Sequence, residues 1–88
     1  MAVLRQVMHY VGMVDYESPV APYRQVAAIL RERIDSGQYR PGLRLPSIND
    51  LVQEFGVART TAGKALRLLE TDGVAEVSPG MGYYVKRR

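Results

Sequence analysis

The chain has 88 residues, 47% of them hydrophobic and 24% charged, a balance that fits one soluble globular domain and excludes a disordered segment. A single core of this size leaves little room for a walled ligand cavity, which disfavours an enzyme with a deep substrate pocket and favours binding by surface. The formal net charge is +3; residues 1 to 36 carry four charges of each sign, so the whole excess lies in residues 37 to 88, a bias compatible with phosphate that needs a motif beside it.

Cysteine is absent, which removes a disulfide framework, a thiolate metal site and a cysteine nucleophile and permits a reducing cytoplasm. The apolar stretch from Met1 to Val14 is interrupted by Arg5, Gln6, His9 and Gly12. It is far shorter than the ~20 residues of a membrane span, and no small-residue cleavage site follows it. The expected protein is soluble and cytoplasmic, with no membrane contact. Leu4, Val7, Met8, Val11 and Val14 form a helical stripe. It predicts an extra helix packed on the domain or on a second copy, the alternative being an unstructured or non-native extension with Met13 as the true start.

Asp15 to Pro22 reads as a linker, because Ser18-Pro19 and Ala21-Pro22 remove backbone donors and bias the preceding residues away from helix. The expected division is residues 1–22 as extension and linker, and 23–88 as the folded domain. Tyr23, Val26, Ala27, Leu30 and Ile34 then recur at helical spacing and Ser36-Gly37 supplies a stop, which predicts a first helix. Pro41-Gly42 is a turn dipeptide, and Leu43-Arg44-Leu45 alternates as a very short strand before Pro46.

Ser47 and Asp50 have the spacing of a capping box, with Asp where Glu is usual, so a second helix begins at Ser47; it buries Leu51, Val52 and Phe55 and ends at Gly56. From Ala58 to Asp72 the apolar set Ala62, Ala65, Leu66 and Leu69 opposes Thr60, Gly63, Lys64 and Arg67, which predicts an amphipathic third helix stopped by Gly73. Val74 to Val77 and Tyr83 to Val85 read as a β-hairpin whose tip is the five residues Ser78-Pro79-Gly80-Met81-Gly82.

Two short helices joined by a tight turn, the second amphipathic and followed by a hairpin, is the element order of a winged helix-turn-helix, an α+β fold. A helix enters the major groove only if one face is small or polar enough to reach base edges, as the Thr60, Gly63, Lys64, Arg67 face is. Ala58 to Leu69 holds three positive charges and no acid, whereas an ordinary solvated face, the plain alternative, usually mixes both signs. His9 has no visible metal partner, and Gly80-Met81-Gly82 is too short for a dinucleotide fingerprint. Each serine has a linker, helix-end, capping or turn explanation, so no catalytic set, metal site or cofactor is expected.

Residues 23 to 86 resemble the DNA-binding domain of GntR-family transcription regulators. The resemblance rests on Tyr23 to Ala27, Ile34 to Gly37, Pro41-Gly42, Leu45-Pro46-Ser47, Leu51, Gly56 to Thr61, Ala65-Leu66, Leu69-Glu70, Gly73 and Gly80 to Val85. It implies that Arg59, Thr60 and Thr61 contact bases and phosphates and that Gly80 approaches the minor groove. The chemistry of the residues agrees: Arg59 offers a bidentate fork to guanine or phosphate, and the threonines can donate to phosphate or meet a thymine methyl. Gly80 and Gly82 permit close approach, or serve the turn alone.

Arg44, Ser47, Asn49, Gly63, Lys64, Arg67 and Met81 complete the expected DNA-binding set, with Lys86, Arg87 and Arg88 as further phosphate contacts. Three positions depart from the family, whose members often carry Arg at Asn49, Ser or Thr at Ala58, and Arg at Gly63, so the family's usual operator does not carry over. The resemblance also implies a C-terminal domain that binds an effector and dimerises. The chain ends at Arg88, just past the hairpin, and is read as a regulator domain without that part, either a piece of a longer protein or free-standing. The expected partner is double-stranded DNA, bound by a homodimer on an inverted repeat if the domain pairs. The resemblance implies repression as the commoner outcome, which the residues themselves do not distinguish from activation, and the rival reading is a winged helix used for protein-protein contact.

Overall fold

A computed structural model describes residues 14–87. Most of the predicted N-terminal stripe, Leu4 to Val11, lies outside the described residues, as does Arg88. Among the described residues three helices precede a two-stranded sheet: α1 (Pro22–Asp35), α2 (Ile48–Phe55), α3 (Arg59–Thr71), β1 (Ala75–Ser78) and β2 (Gly82–Val85). This is the expected winged helix-turn-helix.

Helix α1 opens on Pro22, whose missing N–H costs nothing in a first turn and whose fixed φ is already helical. Helix α2 is held at both ends: Ser47 Oγ accepts from the Asp50 amide at 3.1 Å, the Ser47 amide donates to Asp50 Oδ2 at 3.0 Å, and Gly56 closes the helix at φ +65. Helix α3 starts behind Ala58, which offers no side-chain cap.

The core gathers Val26, Ala27 and Leu30 of α1, Leu51 and Phe55 of α2, and Ala62, Ala65, Leu66 and Leu69 of α3 over Ala75 and Val85 of the sheet. Leu45 and Val57 close it from the connecting segments. Every buried residue among those described is apolar. Val52, expected inside, is only half-buried beside the core. Leu30, Leu51, Leu66 and Leu69 are each at most 1% exposed, where truncation to alanine typically costs about 2–5 kcal/mol.

Strands β1 and β2 pair antiparallel from Ala75 with Val85 to Ser78 with Gly82. The wing tip is therefore Pro79-Gly80-Met81, three residues and not five, closed by the Met81 amide on the Ser78 carbonyl at 2.9 Å. Glycine at φ +79 (Gly80) and +120 (Gly82) lets the chain reverse that sharply. The short strand around Arg44 joins the other side of β2: Arg44 bridges Tyr84, with Leu45 N to Tyr83 O and Val85 N to Leu43 O both at 2.8 Å.

Two polar devices brace the helices. Arg33 of α1 forks onto the Glu54 carboxylate of α2, donates to the Tyr39 hydroxyl at 3.0 Å and lies 5.6 Å from the Phe55 ring centroid. The hydrogen bond to Glu54 is the main cause of an Arg33 pKa above its ordinary value. The Gln25 carboxamide pairs with the main chain of Asp15 in both directions, each bond 2.8 Å, and also donates to the Val20 carbonyl at 2.7 Å. Val14 thereby sits against the core.

Candidate nucleic-acid interface

With Ala62, Ala65, Leu66 and Leu69 turned into the core, helical periodicity sends Thr60, Lys64 and Arg67 outward, and all three are exposed. Thr61 and Gly63 lie half-buried at the edges of that face. The surface predicted to read DNA is thus the solvent face of α3. With Ala58 as N-cap, the first-turn amides of α3 have no side-chain acceptor, and the positive end of the helix dipole points to the same place as Arg59. Orphan donors beside a guanidinium suit a phosphate oxygen.

The structure brings Arg44, Ser47, Asn49, Arg59 and Gly82 together around one cleft of about 240 Å³ between α2, α3 and the wing, floored by Leu45, Pro46, Ile48 and Leu66. Two contacts organise its rim. The Arg59 guanidinium donates through Nη1 to Asn49 Oδ1. Arg44 lies across Gly82, where a Cβ would come within 3.1 Å of Arg44 Nε. Ser47 spends an acceptor on its cap, yet its hydroxyl proton remains free to donate. The same cap, mainly the bond from the Ser47 amide, holds the Asp50 carboxyl below its ordinary value of 3.8, so a negative charge stands at the start of α2.

Lys64 and Arg67 line a second, shallower groove with Tyr23, Leu68 and Thr71. Lys64 Nζ is 5.9 Å from the Tyr23 ring centroid, and the Arg24 guanidinium lies 5.4 Å from it on the same ring, a cation–π spacing that steers both charges. Sequence reasoning counted Tyr23 only as part of the first helix's apolar stripe. Its half-exposed place beside α3 depends on how α1 crosses α3, which no local pattern reports. Gly80 and Met81 are exposed at the wing tip, Met81 at 59%.

Lys86 and Arg87 fall elsewhere. They line a cleft with Arg31, Ile34, Asp35, Gly73 and Val74, beside the C-terminal ends of α1 and α3, and Arg87 rests on Gly42. They do not join the end of α3 that carries Arg59.

A tight helix-turn-helix whose second helix shows a cationic face with no acid before Glu70, flanked by a glycine-tipped hairpin, defines a winged-helix DNA-binding domain. Residues 22–85 match the family described as "Bacterial regulatory proteins, gntR family". The structure of YtrA from Sulfolobus acidocaldarius, a GntR-family transcription factor, is similar at a TM-score of 0.80 and 35% identity, over 89% of this chain and 82% of that one. AraR(DBD) in complex with operator ORX1 is similar at a TM-score of 0.71 and 31% identity, over 82% of this chain and 93% of that one. The mannosyl-D-glycerate transport/metabolism system repressor MngR of Escherichia coli (strain K12) is 45% identical over 64 residues, 73% of this chain and 27% of MngR. This chain belongs to the GntR family of bacterial regulators. It spans 14% to 28% of the length of the curated relatives it matches.

Proposed function

We propose that the chain, with residues 23–88 as its DNA-binding unit, recognises a specific double-stranded sequence and serves a cytoplasmic transcription repressor. Helix α3 reads the major groove and the wing follows the minor groove. The observation that carries this reading is the outward, cationic face of α3, which holds no acid from Arg59 to Leu69, with Arg59 at its exposed N-terminal end beside the Arg44 and Asn49 cleft. In support, the similar domain AraR(DBD) forms a complex with operator ORX1, and the similar MngR is a repressor. The mechanism is groove occupancy: phosphate contacts position the domain and side chains on base edges select the site. Two copies on an inverted repeat are the proposed arrangement, since two-fold protein symmetry is mirrored in half-site order.

Selection of bound sequences from a random duplex pool tests the reading, and enrichment of an inverted repeat would report specificity and dimer symmetry together. If about four to six phosphates are neutralised, log K against log salt should fall with a slope of about −4 to −5. Arg59→Ala should cut binding to the selected duplex by roughly tenfold or more. A flat salt response, or an unchanged Arg59→Ala variant, would sink the assignment and favour a protein partner for the same face.

A further inference from the structure

We infer that Asn49 is the positioning residue for Arg59: it fixes which edge of the guanidinium faces DNA, so that the pair selects guanine in the major groove. The inference rests on the DNA-binding reading above and goes beyond it to what one point of the surface reads.

Arg59 opens α3, where a long side chain at a free helix end has many rotamers and Ala58 offers nothing to hold it. Its partner comes from α2, where Asn49 Oδ1 accepts from Arg59 Nη1. Asn49 is well placed to hold position because its helix is itself fixed, by the Ser47 and Asp50 box that brackets it and by Gly56 at the far end. Both residues are exposed at the cleft mouth. The contact therefore orders a surface group, and ordering before association is what raises affinity for the matching site.

The chemistry of the fork gives the rest. With Nη1 engaged, the edge left free carries the Nε and Nη2 donors, two parallel N–H groups that match O6 and N7 of guanine. An Arg59 swinging freely would meet phosphates and base edges alike and contribute affinity without selection. Asn49 thus acts through Arg59, and its own amide nitrogen stays available to a neighbouring acceptor.

The test uses the full chain, the duplex it selects, and versions of that duplex with single base-pair changes. Arg59→Ala should remove discrimination at one G·C pair. Asn49→Ala should reduce discrimination at that same pair by about fivefold or more, with little change at other pairs. Asn49→Asp keeps the accepting oxygen, so it should retain the preference while its charge weakens binding to every duplex alike. Adding Asn49→Ala to Arg59→Ala should remove nothing further at that pair. In the free protein, the Arg59 side-chain NH resonances should be dispersed in the wild type and in Asn49→Asp, and averaged in Asn49→Ala.

Uniform weakening on all duplexes in Asn49→Ala, additive losses in the double variant, or unchanged Arg59 resonances would each overturn the inference. A wild type that binds no duplex would instead overturn the DNA-binding reading, and the resonances would still decide whether Asn49 orders Arg59.

Discussion

Gly63 sits inside α3 on the face offered to DNA, and its neighbours do not require it. A Cβ there would lie 3.7 Å from Ile48 Cδ1 and 3.9 Å from Arg67 Nη2, ordinary contact distances, and its φ is not in the left-handed region. Glycine in a helix interior is destabilising by roughly 0.5–1 kcal/mol relative to alanine, through backbone entropy. Gly63→Ala should therefore raise stability by about that amount in urea unfolding. If the absence of a side chain at this position serves close approach to base edges, the same variant will bind its selected duplex more weakly while being more stable. Gly82 is the opposite case: at φ +120 and under the Arg44 guanidinium, its lack of Cβ is needed by the fold itself.

The two helices of the helix-turn-helix differ in how they begin. Helix α2 carries a complete capping box, and helix α3 carries Ala58 with no side-chain bond. Ala58→Ser should stabilise the domain by about 1 kcal/mol, measured by urea unfolding, and a result at or below zero would mean that the first turn of α3 is limited by something other than its cap. The capping box has a pH signature. Asp50 is held below its ordinary value of 3.8 by the Ser47 bonds, so the folded state binds its proton less readily than the unfolded state. Its stabilisation is fully present above 3.8 and is lost as pH falls through the lower folded value. Unfolding curves recorded well above and well below 3.8 should show a smaller acid loss in Asp50→Asn than in the wild type. Equal losses would mean that the carboxylate contributes nothing to the cap.

At the scale of the molecule, what was legible in the sequence was what repeats locally. The helical period of Val26, Ala27 and Leu30, the Ser47 to Asp50 spacing and the stop at Gly56 each placed an element, because each is a contact between near neighbours in the chain. The outward face of α3 followed from the same periodicity. Relations between elements were not legible. The five-residue tip was misjudged because Ser78 and Gly82, two residues that usually break strands, pair across β1 and β2. Lys86 and Arg87 were grouped with the DNA face by charge alone, yet the exit of β2 carries them to the far end of α1. Tyr23 and the Asn49 to Arg59 bond join residues from different helices, so only the packed structure discloses them.

The β2 strand is gripped on both edges, by β1 and by the segment around Arg44 that leads straight into α2. The wing therefore cannot swing as an independent finger, and its footing is shared with the helix pair it accompanies. The molecule behaves as a rigid gauge. Its two points of insertion keep one separation, so lengthening the site between them by a single base pair, a step of about 3.4 Å along the axis, should leave one point seated and the other out of phase.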